Sequence, residues 1–279
     1  MYFSRKGFDS SSGRVPSPIL PDGRLVPLPI PSTRDPHTYD EVSINGIALG
    51  KLVEDLTGKK IERTHRCHLD PDLDAASLPR LSGWRPAFGQ IDAAQGHLAR
   101  HHIGPGDLFL FFGWFRAVEE INGSWRYIRR APNLHVIYGW MEIGKIVELA
   151  NKAHAGELVP FADHPHLHGR DRPSNTVYLA SDRLNLRDTQ RAGAGLFGRI
   201  SRSRTLTDTN QLKRTVWRLP AWFHPGEGSV LSYHEEEERW AMAGSECILS
   251  SVSRGQEFVL SLPSSNAAES WFEAIFREE

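Results

Sequence analysis

Residues 106–116 read GDLFLFFGWFR, and the fold follows from how that stretch is placed. From Leu108 to Phe115 the run is almost continuously apolar, of strand length and rich in aromatics, which predicts a strand covered on both faces. HVIYGWMEI at His135–Ile143 predicts its partner, reached across a polar stretch with a turn at Asn122-Gly123. Just upstream, a helix is expected over Asp92–His102, opened by Asp92 as N-cap and stopped by Gly104-Pro105-Gly106. Further out, Ile47–Leu56 has the spacing of a short helix, with Ile47, Leu49, Leu52, Val53 and Leu56 on one side. Asn175–Ala180 and Glu257–Leu262 read as strands. Ser264–Phe276 reads as an amphipathic helix capped by Ser264 or Ser265, with Ala268, Trp271, Phe272, Ile275 and Phe276 facing inward. The segment from Met1 to about Pro36 is rich in Pro and Gly, so it should be extended chain and short strands, with Asp22-Gly23 a hairpin candidate.

These elements predict an α+β protein: a mixed β-sheet or partly closed barrel core with a few flanking helices. The chain should form a single compact domain over 1–279, with a barrel-like core at 90–150, an arginine-rich segment at 170–218 and a C-terminal helix at 264–279.

Composition narrows the function classes. The 279 residues carry 33 Lys+Arg against 34 Asp+Glu, so no global charge draws the chain to nucleic acid or to an acidic membrane. Two cysteines, Cys67 and Cys247, make neither a disulfide framework nor a metal knuckle, which fits a reducing compartment. No apolar run approaches a membrane span, and MYFSRKGFDSSSG has no hydrophobic signal core, so a cytoplasmic location and no membrane partner are expected. The near-neutral total conceals unevenness. Between Arg170 and Arg218 eleven basic residues stand against four acidic ones, whereas Glu235–Glu238 is an acidic run. A short stretch of DNA or a small anionic ligand is the partner expected for the basic segment.

Several short motifs carry ionisable groups. Ser4-Arg5-Lys6-Gly7-Phe8-Asp9-Ser10 could clamp an anion with Arg5 and Lys6 and use Asp9 as acid/base; it would equally serve as a solvated first strand and turn. In His68-Leu69-Asp70-Pro71-Asp72-Leu73-Asp74 the period of two puts His68, Asp70, Asp72 and Asp74 on one side of an extended segment. Such a row offers proton transfer or hard oxygen ligands, although the glycine and distal glutamate of a calcium loop are missing. His164-Pro165-His166-Leu167-His168 repeats the spacing with imidazoles, and His164 and His166 are candidate ligands for a divalent metal cofactor. If His68 and Asp70 lie nearby, a histidine/carboxylate site is complete. His97 and His101 are at helical spacing but lack a metalloprotease glutamate, so they read as surface or core-edge residues.

Gly193-Ala194-Gly195-Leu196-Phe197-Gly198 satisfies the GxGxxG pattern between Arg191 and Arg199. It neither directly follows a strand nor opens a helix, which leaves a phosphate-holding backbone nest as its functional reading. Trp114 and Trp140, each after a glycine on an expected strand, are candidates to stack a base, with Arg116 beside Trp114. No nucleophile elbow, kinase set, P-loop or zinc-deaminase signature is present.

Two resemblances add to this reading. The order helix, Gly-Pro-Gly106-Asp107, apolar strand, polar excursion and HVIYGWMEIG over 90–145 resembles the β-barrels of the pseudouridine-synthase-associated superfamily, which include readers of modified bases. Over the whole chain, FSRKGFDSSSGRVPSPILPDGRLVPLPIP from Phe3, HLDPDL at His68–Leu73, GWRPAFGQ at Gly83–Gln90, GDLFLFFGWFR and HPHLHG at His164–Gly169 together resemble the third of the nucleotide-modification-associated domain families. That resemblance implies a prokaryotic intracellular protein in a DNA-modification or anti-phage setting, and it supplies no reaction. Three functions are therefore carried forward: an enzyme modifying a nucleotide or DNA base, a non-catalytic reader of modified bases, and an assembly protein.

Overall fold

A computed structural model describes residues 1–168, 172–186, 190–252, 255, 257–261 and 266–277. The proline-rich start gives three short strands, β1 (Tyr2–Arg5), β2 (Ser17–Ile19) and β3 (Ile30–Ser32), since proline cannot donate to a ladder. β4 (Ser43–Ile44) and β5 (Ile47–Ala48) form a hairpin through Asn45-Gly46, both at positive φ. That turn draws Ile47 and Ala48 into strand, so helix α1 covers Leu49–Leu56 instead of starting at Ile47. β6 (Arg66–His68), β7 (Ala87–Gln90) and α2 (Asp92–Arg100) follow. Asp92 is not a side-chain cap: Ile91 holds the cap position, and Asp92 is anchored through its own backbone N–H, which donates to Ser174 Oγ at 2.9 Å.

The deciding stretch becomes β8 (Leu108–Ile121). It turns at Asn122-Gly123, both in left-handed backbone, into β9 (Ser124–Tyr127), and β10 (Leu134–Glu148) is its long partner. The remainder comprises β11 (Thr176–Ala180), β12 (Ala194–Leu196), β13 (Val216–Pro220), β14 (Val230–Leu231), β15 (Trp240–Ala243), β16 (Glu246–Ser250), β17 (Glu257–Ser261) and helix α3 (Asn266–Arg277). Gly169, Arg170, Asp171, Arg187, Asp188, Leu262 and the expected caps Ser264 and Ser265 lie outside the described residues.

The main sheet runs β14-β17-β1-β8-β10-β11-β7, with β2 and β9 added to β8 and β12 to β10. β1 and β2 lie parallel to β8, while β10 is antiparallel to it, so the sheet is mixed. Among the described residues it stays open, with β14 and β7 at its ends; of the sheet and barrel alternatives the sheet is realised, and 90–150 forms its centre without closing.

Alternation along β8 and β10 explains the burial of both faces. Leu108, Leu110, Phe112, Ile137 and Trp140 pack with Phe3, Trp217, Phe223, Phe258 and the α3 residues Phe272, Ile275 and Phe276. Phe109, Phe111, Phe115, Val136, Tyr138 and Met141 point the other way, onto Phe88, Leu98 and Tyr178. A further apolar cluster joins Phe8, Val26, Leu28 and Tyr39 to the buried side of α1, Leu49, Leu52, Val53 and Leu56, and to Cys67 and Leu69. Cys67 and Leu69 flank His68 in that cluster, and β7 and β11 pair at the end of the sheet. Between these two regions the polar residues of the candidate site meet.

Candidate functional site

β6 pairs with β3 in a register that sets His68 against Ile30. With Cys67 and Leu69 buried in the neighbouring core, the alternate positions His68 and Asp70 are presented on the opposite side, as the period of two requires. Asp70 projects toward β7, where its Oδ1 accepts from the Gly89 N–H at 2.8 Å. His164 and His166 flank Pro165, which opens a single 3-10 turn over Pro165–Leu167, and both rings are buried. Gly89 permits their approach: a Cβ there would lie 2.2 Å from the His166 ring, closer than any side chain can sit.

Three imidazoles and one carboxylate therefore converge. His68 Nε2 lies 3.7 Å and His166 Nε2 3.6 Å from Asp70 Oδ2, and His164 Nε2 lies 3.5 Å from Asp70 Oδ1. One donor atom from each of His68, Asp70 and His166 falls within 4.8 Å of the others. The opposite ring nitrogens are already engaged. His68 Nδ1 is 2.7 Å from Asp35 Oδ2, and a carboxylate only accepts, so this nitrogen carries the hydrogen. His166 Nδ1 is 2.7 Å from Asn175 Oδ1, while Asn175 Nδ2 donates to the His166 carbonyl at 2.8 Å; the amide orientation is thereby fixed and Nδ1 is again the donor. In both rings Nε2 is therefore the nitrogen turned to Asp70, a lone pair where the ring is neutral and an N–H where it is protonated. This is the carboxylate- or amide-oriented histidine that metal centres use to hold a ligand in one tautomer.

His164 differs. Its Nδ1 accepts the His166 N–H at 3.3 Å, so its neutral ring carries the hydrogen on Nε2, which is buried and makes no hydrogen bond. Burial alone would raise the Asp70 carboxyl, but the imidazoles of His164 and His166 outweigh it and hold the carboxyl well below the usual carboxylate range. The seam thus keeps a buried carboxylate charged with imidazoles as its partners. His168 takes no part, its Nε2 resting 2.7 Å from the Ala162 carbonyl.

The other expected site residues separate into distinct settings. Asp72 is forked by Arg80 at 2.8 and 2.6 Å, and Arg80 reaches on to Asp163 and stacks on Trp84. Burial pushes the Asp72 carboxyl up to about 6 even so. Asp72 is engaged in this ion pair, and Asp74 receives the Asn45 and Ala76 N–H groups. Lys6 lies over the Phe88 ring and pairs at 3.0 Å with Glu257 Oε1, which also accepts from Ser4 Oγ and Gln90 Nε2. Asp9 closes its own turn by accepting from Ser11 and Ser12. The charge of Arg5 acts on Asp9, and those of Asp9 and Arg214 act on Arg5. Between Asp70 and the amino-terminal loop is a cavity of about 20 Å³, room for one water, lined by Gly7, Asp70, Asp72, Ser77 and Tyr138 among others. Burial, with the charges of Asp70 and Glu257, raises the Tyr138 hydroxyl well above its usual range, so it stays protonated beside this cavity.

The expected ligand-binding residues range from buried to exposed. Trp140 is 5% exposed, packs on Phe197 and Phe276 and donates to the Ala192 carbonyl. Trp114 donates to Asn133, and its ring face is taken by the Arg214 guanidinium at 4.3 Å. Arg116 donates to the Ile128 carbonyl, and Arg191 to the Phe276 carbonyl. Gly193 and Gly195 belong to the approach of β12 to β10 and form no open nest: a Cβ on Gly193 would strike the Ser181 carbonyl at 2.1 Å, and one on Gly195 the Trp140 ring at 2.8 Å. Arg199 is exposed and bridges through its backbone to Arg24.

Sequence reasoning did not reach Asp35, Asn175, Gly89 or Glu257. Asp35 lies 33 residues before the histidine it orients, and only GWRPAFGQ, with its glycine before a glutamine, hinted that β7 bore on the site.

An open mixed sheet with a buried histidine/carboxylate cluster at the junction of its end and an amino-terminal layer is the class of protein that the geometry defines. The chain belongs to the family of nucleotide modification associated domain 3, whose model matches residues 1–261. The family's description associates it with nucleotide modification. No curated protein and no solved structure matches the chain. Among the described residues no helix is long and apolar enough to cross a membrane.

Proposed function

We propose that the protein is a metal-dependent enzyme acting on a nucleotide or nucleobase, with His68 Nε2, His166 Nε2 and an Asp70 oxygen as ligands to a divalent transition ion. The observation that carries this reading is the pair of Nε2 nitrogens turned to one carboxylate, each ring set by a partner on its far side. Two histidines and one carboxylate suit a first-row transition ion and leave coordination positions for water and substrate, where such an ion activates water or polarises an oxygen. Asp35 and Asn175 would hold the ligands in register. The protonated Tyr138 hydroxyl would offer a proton donor at the adjoining cavity. The family description supports a nucleotide as the substrate class, and a prokaryotic DNA-modification or anti-phage setting would fit such an enzyme.

The reader alternative is less favoured, since Trp140 is buried and the Arg214 guanidinium lies on the Trp114 ring. The test is a titration of the chelated, purified chain with Zn²⁺, Mn²⁺ and Fe²⁺. The wild type should take up a single tightly held ion, while Asp70→Asn and the double substitution His68→Ala with His166→Ala should lose it. Equal uptake by wild type and variants would overturn the proposal.

A further inference from the structure

We infer that the open groove beside His68 is a phosphate-reading subsite, so that the substrate is a single nucleoside phosphate and not a free base or a nucleic-acid strand. This rests on the metal-site reading, because it assigns the groove to the same reaction. The groove has a volume of about 720 Å³, within the range of small-molecule sites, and is lined by Ser32, Thr33, Arg34, Asp35, Lys60, His65 and His68 with apolar Ile30, Pro31 and Ile61. Two lining residues, Asp35 and His68, are the orienting carboxylate and the most accessible ligand of the cluster, so a molecule in the groove adjoins the cluster through them.

Charge identifies what the groove takes. Arg34 and Lys60 are exposed, and among the described residues neither has an ion pair. The one carboxylate in the lining, Asp35, is buried against His68 and does not neutralise them. Ser32 Oγ receives the N–H groups of Arg34 and Asp35 at 3.2 and 3.3 Å, a turn that sets the Arg34 side chain outward at the rim while Asp35 turns in. The groove thus joins two cations that have no ion pair among the described residues, the Ser32 and Thr33 hydroxyls and the His65 imidazole to His68, which is a donor set for a phosphate oxygen anion.

A second groove of similar size, about 760 Å³, shows the contrast: it is lined by Arg202, Arg218, Asp208 and Glu246, and Arg218 is paired with both acids. Its charge is cancelled locally. The space beside His68 holds one nucleotide, and its two free cations match one phosphate group rather than the series of phosphates along a strand.

The experiment compares a nucleoside, its 5′-monophosphate, inorganic phosphate and a short oligodeoxynucleotide as ligands for the metal-loaded chain by calorimetry across salt concentrations. Expected is a preference of about tenfold or more for the monophosphate over the nucleoside, with inorganic phosphate competing. Arg34→Gln together with Lys60→Gln should remove that preference while thermal stability and metal uptake stay as in the wild type. Equal binding of nucleoside and monophosphate, an unchanged preference in the double variant, or tighter binding of the oligonucleotide with a salt dependence steeper than two contacts allow would each overturn the inference. Metal uptake measured on the same samples separates the two readings: a phosphate preference that survives in a chain binding no ion refutes the metal site and leaves the subsite standing.

Discussion

The histidine/carboxylate seam and the arginine-rich segment look alike as sequence, each a concentration of polar groups among apolar runs, and the structure uses them in opposite ways. In the arginine-rich segment four of the described cations, Arg191, Arg204, Arg214 and Arg218, are taken up by packing or pairing, while Arg172, Arg183, Arg199, Arg202 and Lys213 stay exposed. Arg204 is 2% exposed, donates to the carbonyls of Ile275 and Arg199 and covers the Phe197 ring. Arg191 reaches the Phe276 carbonyl, Arg214 lies on Trp114, and Arg218 is held by two acids. Arg191 and Arg204 between them satisfy carbonyls in the last turn of α3, which a helix cannot pair internally. In the seam, by contrast, the Nε2 atoms of His68, His164 and His166 are turned on one buried carboxylate at 3.5–3.7 Å, and the buried His164 Nε2 completes no hydrogen bond. Buried polar groups that pair fully stabilise a fold, whereas buried groups held apart by outer partners mark a site arranged for something else.

The contrast can be broken first at Arg204. Arg204→Ala removes a buried cation with two carbonyl acceptors and an aromatic contact, and about 3–5 kcal/mol of stability should be lost in denaturant unfolding, with metal uptake by the remaining folded chain unchanged. A loss within the error of a surface substitution would mean that the arginine segment is not structural. The next effect is at Asn175, where Asn175→Ala should leave His166 a ligand but free its ring, weakening metal affinity by about 10–100-fold in a chelator competition. No change there would show that the outer partner does not orient the ring.

The smallest effect is on pH dependence. His135 is buried, and its Nδ1 accepts from Trp217 Nε1 at 3.0 Å; burial, then the charges of Arg214 and Arg5, hold its pKa well below 6.5. The folded chain thus refuses a proton that the unfolded chain accepts. Stability from this group is full above the unfolded imidazole pKa and falls as pH drops below it, by up to about 1.4 kcal/mol per pH unit until the folded pKa is reached. His135→Gln should flatten the stability profile between about pH 6.5 and 5.5. An unchanged slope would assign the acid sensitivity elsewhere; His234, also lowered by burial, adds a smaller term of the same sign.

The fold was legible where side-chain period and burial agree. β8 and β10 announce themselves because a strand covered on both faces must be apolar at every position, and Asn122-Gly123 has the chemistry of the turn it makes. HLDPD and HPHLH carry alternating polar residues at short spacing, so the ligand types were visible; that they meet at Asp70 is a product of tertiary folding. Asp35 and Asn175 were not legible, because an orienting partner needs one hydrogen bond and leaves no local pattern. Gly195 and Trp140 show why the pattern left two readings open: a glycine beside a tryptophan looks the same whether it opens room for a base or lets two strands close on the ring, and here a Cβ would meet that ring at 2.8 Å. The arginine count likewise does not say which cations are buried, since the carbonyls that Arg191 and Arg204 reach belong to a helix more than seventy residues further along.

The central claim is that the seam holds a metal ion, and an anomalous difference map from crystals grown with Zn²⁺ addresses it most directly. The account predicts one strong peak about 2.0–2.2 Å from His68 Nε2, His166 Nε2 and an Asp70 oxygen, absent in Asp70→Asn crystals. A map with no peak at these three residues under saturating zinc, or the same peak in the Asp70→Asn protein, would contradict it.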